Sequence, residues 1–399
     1  MIKTVFFVFS LTLIAAVKAE GCSGAATIAS QADLDAIGSC KTYTGSITID
    51  NLNAETLQLK GVETVTGDLL VKNNAALSSF SAPVLQTVQG QLELSNQVHL
   101  GTFQAPKLQT VNGLTLSVLP ELMDLGFLNT INGLNKLSLT DTRAVNIQNA
   151  NINGLQQLTL TNNKNLTSIQ FPGLMKVDGE IFITANSASC ALELPKLTSA
   201  KSATFRNLNS FDASALSEVS QDLSFNQNNM QQLSVDGLKT LGGALIVVDN
   251  NQLNKVSMNQ LTLVGGTFSI GNNSNLVNID GFPKLEQVRG SIDLSGAFDK
   301  VDIPALQDVR GGMRLQTTSS SFQCNGLDNM RVTVIKGTSF DCKSNLAADQ
   351  LAPTVGQGSG TQVNSKTAPK QDSAASSRLG DMQSSLFAFS MFLGYILLG

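Results

Sequence analysis

The chain has 399 residues, only 14% of them charged, and a formal net charge of −4 with its lysines and arginines scattered. Nucleic-acid binding needs clustered cations to meet a phosphate backbone, so this balance argues against it. One histidine and five cysteines, none paired at ligand spacing, argue equally against a metal site, and no cofactor is expected.

Lys3 precedes an apolar run, Val5 to Val17, and Val17-Lys18-Ala19 offers small residues where a signal peptidase reads them. Residues 1–19 are therefore expected to be a secretory signal; the run is short for the alternatives, a membrane anchor or a buried core helix. In the oxidising compartment this implies, Cys22 and Cys40 are expected to close a disulfide loop. Within that loop SQADLDAIG, Ser30 to Gly38, has Ser30 and Asp33 at capping-box spacing and Leu34 and Ile37 on one helical face. Residues 20–46 thus read as an N-terminal cap.

From residue 47 to about 318 the chain repeats itself. L-x-x-apolar-x-G recurs at Leu85, Leu108, Leu128, Leu174, Leu261 and Leu285, and each copy heralds a short strand. An apolar-x-apolar-x-x-Asn phrase accompanies it: Leu69, Val71, Asn74; Leu158, Leu160, Asn163; Leu245, Val247, Asn250; Phe268, Ile270, Asn273. A period of roughly 22 residues with alternate inward side chains is the signature of a solenoid. Five or six inward side chains at about 1.5–3 kcal/mol each do not outweigh roughly 1–2 kcal/mol of backbone entropy for each of about twenty residues, so one coil alone does not fold. Stacking supplies the deficit, and inward asparagines are expected to satisfy backbone groups that the strands do not reach. The fold class is therefore β-rich: a single right-handed solenoid of about twelve coils with stacked parallel strands. SATFRNLN around Phe205 is expected to be a degenerate coil.

Residues 319–343 read as the second cap, closed by Cys324 and Cys342, while Cys190 is expected to be a buried free thiol, with an intermolecular bridge as the alternative. Residues 344–377 are polar and rich in glycine and serine, as a flexible tether is. The final LFAFSMFLGYILLG would rise only about 21 Å as a helix, against a hydrocarbon core near 30 Å. Residues 378–399 therefore read as the spacer and discarded tail of a glycosylphosphatidylinositol (GPI) signal, with Ser373 or Ala374 as attachment site. The expected location is the outer face of the plasma membrane and the cell wall.

Outward strand positions are dominated by hydroxyls: Thr115, Ser138, Thr159, Thr204, Ser224 and Ser269 in one column. They read either as a merely solvated sheet or as a hydrogen-bonding platform for a glycan or a protein. There is no tryptophan, and Tyr43 is the one tyrosine outside the tail, so protein recognition or a structural role ranks ahead of sugar stacking. Glycoside chemistry needs two carboxylates about 5–9.5 Å apart. Glu93 and Asp293 lie many coils apart, and Asp50 and Asp68 occupy other columns or coils, so no enzyme is expected. His99 reads as a surface turn residue. Asn165 and Asn272 begin N-glycosylation sequons.

The stretch CKTYTGSITI, Cys40 to Ile49, resembles the N-terminal signature of leucine-rich receptor L domains. Signal, coils and anchor together resemble the fungal cell-wall-organisation proteins of the yeast extracellular-mutant and sporulation-specific family. That resemblance implies receptor L-domain-like, leucine-rich coils and a GPI-anchored glycoprotein needed for wall assembly and integrity. The implied partners are wall glucan, mannoprotein or other surface proteins.

Overall fold

The structure, a computed structural model, describes residues 21–354. The signal, the attachment candidates Ser373 and Ala374, and the spacer and tail lie outside them. The main sheet is a pile of short parallel strands, one above another, each contributed by the next circuit of the chain. Ile47–Asp50 pairs with Leu69–Lys72, which pairs with Thr87–Ser95, and the pairing continues to Met313–Thr317. The coils number about thirteen, one more than the repeats suggest. The stretch around Phe205 is no exception: it forms the strand Ser199–Arg206, with Phe205 in register between Ile183 and Phe225.

Register explains why these residues form strands. Two apolar side chains per coil, such as Leu158 and Leu160 or Leu245 and Val247, point inward and are completely buried, while the residue between them points out. A one-residue slip would exchange the two sets, so burial fixes the pairing. The opposite side carries smaller parallel sheets, among them Thr56–Gln58 with Ser79–Ser81 and Thr102–Gln104. Their inward residues close the same core, where Phe80 and Phe103 stack through adjacent coils and Phe205, Phe225 and Phe211 form a second aromatic group.

The asparagines do what their inward position demands. Asn250 Oδ1 accepts from the Asn228 backbone N–H at 2.9 Å and from Asn228 Nδ2 at 3.0 Å. Its own Nδ2 donates to the carbonyl oxygens of Phe225 and Val248, both at 3.0 Å, and to Asn273 Oδ1 at 3.1 Å. The ladder comes in segments, Asn163 with Asn186 and Asn228 with Asn250 and Asn273, because Leu208 stands at the corresponding place between them. Immediately before each inward turn position, one residue per coil adopts a left-handed backbone. There are eleven from Asn51 to Asn272, with φ between 51° and 61°, and six of them are asparagine. Asparagine tolerates that conformation better than other non-glycine residues, which accounts for the first asparagine of the pairs Asn73-Asn74, Asn162-Asn163 and Asn272-Asn273. Val118, at φ 54°, is the branched exception.

Both ends are lidded. Helix Gln31–Ile37 is capped by Ser30, whose hydroxyl accepts from the Asp33 N–H, and it lays Leu34 and Ile37 on the first coil. Cys22–Cys40 ties it down, and Cys324–Cys342 closes the other cap, where Phe340–Lys343 adds a last strand to Met313–Thr317. Cys190 is a buried free thiol.

Two substitutions test this construction in chemical denaturation. Asn250→Ala strips the partners from Asn228 N–H and the Phe225 carbonyl; at about 1–3 kcal/mol for each orphaned group, a loss of roughly 2–5 kcal/mol is expected. Val118→Asn relieves an unfavourable backbone and should stabilise by about 1 kcal/mol; a loss would place the constraint elsewhere.

Candidate interaction face

Among the described residues the outer surface of the main sheet is a broad, regular face. Successive coils repeat at about 4.8 Å and alternate residues along a strand at roughly 6.8 Å, so its side chains form a grid. In the first column Thr48, Thr115, Ser138, Thr159 and Thr204 are half-buried, with Leu70, Glu93 and Phe182 among them. Neighbours are partly knitted together: Gln91 Nε2 donates to Thr115 Oγ1 at 2.9 Å, Gln157 Nε2 to Thr159 Oγ1 at 3.3 Å, and Thr140 and Thr161 hydroxyls meet at 3.1 Å.

Beyond Thr204 the face changes character. Ser224 and Ser269, expected to be open to solvent, are 6% and 0% exposed, and Ile246 and Asp293 in the same column are buried too. Ser224 is short and lies in register between Thr204 and the larger Ile246. Ser269 lies beside Gly271, over which Thr354 is seated. The segment Asn345–Thr354, the beginning of the stretch that reads as a tether, runs onto this part of the sheet: Ala352 N–H donates to Gln316 Oε1 at 2.9 Å and Arg314 Nη2 to the Pro353 carbonyl at 2.7 Å. The open hydroxyl grid therefore extends only from Thr48 to Thr204. Two features of the sequence carry this division: an apolar pair, Ile246 and Val248, at outward positions, and a glycine, Gly271, inside a strand, where close approach by another chain is the usual reason.

The acids of the face serve the fold. Asp68 Oδ1 accepts from the Gln91 N–H at 2.7 Å, Asp50 from Asn73 Nδ2 at 2.9 Å, Glu93 from the Ser95 hydroxyl at 2.7 Å, and Asp293 holds Arg314 through two bonds of 2.7 and 2.9 Å. Nine coil steps separate Glu93 from Asp293, about 43 Å, far outside the span of a glycosidase pair. Burial raises the proton affinity of the half-buried Glu180. Tyr43 is completely buried, so it offers no ring to a sugar, and His99 is exposed in a turn. No cluster of His, Cys, Asp or Glu able to hold a metal exists among the described residues. Of the sequons, Asn165 is exposed on a turn, whereas Asn272 is one of the left-handed residues and donates through Nδ2 to Asp249 Oδ1 at 2.8 Å.

A disulfide-capped pile of parallel coils that presents a broad polar sheet defines a class of β-solenoid surface protein. Relatives narrow the class. The chain is 30% identical over 338 residues to a cell surface GPI-anchored protein of Arthroderma benhamiae, covering 84% of this chain and 87% of that one. It is 31% identical over 340 residues to protein ecm33 of Aspergillus fumigatus, with 85% and 84% covered. Over 316 residues it is 27% identical to sporulation-specific protein 2 of Saccharomyces cerevisiae, 78% of this chain and 62% of that one. No family model matches, and no solved structure does. The chain belongs to the Ecm33 and sporulation-specific family of fungal GPI-anchored surface proteins, and its place is the outer face of the plasma membrane and the cell wall.

Two titrations follow from the side-chain environments. At Asp236 burial works to raise the pKa, but hydrogen bonds from Ser257, the Asn259 N–H and Ser234, with the charge of Lys255, outweigh it and hold the carboxyl below its ordinary value of 3.8. A group depressed in the fold stabilises above its unfolded value and loses that contribution as pH falls through the folded one. Asp236→Asn should therefore lower the melting temperature at neutral pH, with the difference from the natural chain closing below about pH 4. Burial pushes the Cys190 thiol up to about 12, so at pH 8 an alkylating reagent should modify it only after unfolding; rapid labelling of the native protein would contradict its placement.

Proposed function

We propose that this protein acts without catalysis, as a rigid scaffold or binding platform for cell-wall organisation and integrity. The observation that carries the reading is the open grid of hydroxyls from Thr48 to Thr204, uncharged over most of its area and held by parallel strands paired from coil to coil. Exposed threonines on such a grid present donors and acceptors at fixed spacing, which suits extended partners with repeating polar groups: wall glucan, mannoprotein or another surface protein. The employment of Asp50, Asp68 and Glu93 in hydrogen bonds within the sheet supports a passive role over acid-base chemistry. Phe182, half-buried among hydroxyls, favours wall polysaccharide as a direct ligand and is the observation behind the second reading, a polysaccharide-binding or remodelling protein.

A pull-down and glycan-array screen with the secreted ectodomain, residues 20 to about 373, tests this directly. Capture of a wall polymer or surface protein is expected, weakened by about tenfold or more in Thr115→Arg/Thr159→Arg with the melting temperature unchanged. Hydrolysis or transfer of wall polysaccharide by the same pure material would overturn the scaffold reading.

A further inference from the structure

The part of the outer face beyond Thr204 differs from the open grid in one physical respect: it is shaped to receive a polypeptide. Gly271 is the last residue of the strand Phe268–Gly271, in register between Val248 and Ser295. Any Cβ there would fall 1.9 Å from Thr354 Oγ1 and 2.7 Å from Thr354 Cβ. The glycine is thus the floor of a depression, and Thr354, 4% exposed, fills it. Two coils further along, side chains of the sheet reach up to the backbone of the same segment: Gln316 Oε1 accepts from Ala352 N–H, and Arg314 Nη2 donates to the Pro353 carbonyl. Arg314 is itself aimed by its two bonds to the buried Asp293. The chain enters through backbone hydrogen bonds of Asn345 to Ser319 and Leu346 to Thr317, where Asn345 makes the same left-handed turn as the coils.

We propose that this region is a peptide-docking surface, specific for an extended small residue-Pro-Thr segment, and that its resident ligand is Ala352-Pro353-Thr354 of the chain itself. Donor and acceptor groups of the sheet read the backbone, and the glycine depression reads the threonine; this is the division of labour by which extended peptides are recognised on sheets. A tethered ligand has a high effective concentration, so the strap excludes other molecules from this part of the face. It also fixes the course of the described chain after the second cap: back over the outer face of the sheet as far as the coil of Gly271, two coils before the strand that carries Gln316.

The test uses the full chain and two independent variants. Gly271→Val fills the depression with a residue that the neighbouring coil carries at the same position, Val248, so the strand keeps its fold. Ala352→Pro removes only the N–H that Gln316 accepts, and Leu351, at φ −67° and ψ 125°, already has the backbone a following proline requires. A reporter cysteine replaces Ser295, which is 5% exposed and lies in register between Gly271 and Gln316. In the Ser295→Cys protein, maleimide labelling at pH 7 should be at least about tenfold slower than in Ser295→Cys combined with either variant, because a docked strap opens only locally to admit reagent. Hydrogen exchange should show the 346–354 segment protected in the natural chain and unprotected in both variants, with the core strands unchanged. Exchange of that segment at the unfolded rate in the natural chain, or equal labelling in all three proteins, would overturn the proposal.

Discussion

Apart from single turn bonds such as Leu77 N–H to the Asn74 carbonyl, a coil of this protein places its backbone hydrogen bonds on the coils above and below. Every other property follows from that constraint. The N–H and C=O groups of a parallel strand point to its neighbours, so a circuit of about twenty residues has no ladder within itself, and its few inward side chains do not offset its conformational entropy. Stability therefore belongs to the pile. Buried amides such as Asn163 and Asn250 extend the same logic to the turns, passing hydrogen bonds from coil to coil where the backbone leaves the strand direction. The two cystine-closed caps are needed because a pile has ends, and an uncapped end exposes both a hydrophobic layer and an unpaired strand.

Such a construction fixes what the molecule offers to its surroundings. Rigid stacking turns outward residues into a grid whose spacing is set by the backbone and whose chemistry is set one coil at a time. Over the coils from Thr48 to Thr204 that chemistry is mostly hydroxyl, in keeping with a protein of the fungal surface and wall. Further along, isolated departures accumulate on adjacent coils: Ile246 with Val248, then Gly271, then Asp293 with Arg314. Of these, Gly271 and Arg314, the latter held by Asp293, receive the chain as it leaves the C-terminal cap. One sheet thus carries two surfaces, one open and one filled.

Most of the architecture is legible in the residues because a solenoid writes its period into the chain. Leu158, Leu160 and Asn163 recur with the same spacing at Leu245, Val247 and Asn250, and in both places their burial follows directly. The capping helix is announced by Ser30 with Asp33, and both disulfides by the equal separation of their cysteines. Three things escape such a reading. The left-handed residue of each coil is hidden where it is not asparagine, as at Val118 and Ala185, since the stack imposes that conformation against local preference. The coil at Phe205 hides its regularity because Ala203 replaces the usual large inward residue, yet the register on both sides holds it in line. The burial of Ser224 and Ser269 is hidden because it depends on neighbours in other coils and, beside Ser269, on a segment about eighty residues further along the chain. Local pattern reports which way a side chain points, and only the assembled molecule reports what lies over it.

Native-state hydrogen exchange along the intact chain tests most directly whether stability is held in common. The expected profile rises from the caps toward the central coils, around Leu158 and Ile181, and reducing both cystines lowers protection progressively inward from each end. A central coil that opens alone, exchanging freely while the coils on either side stay protected, would contradict the account at its root.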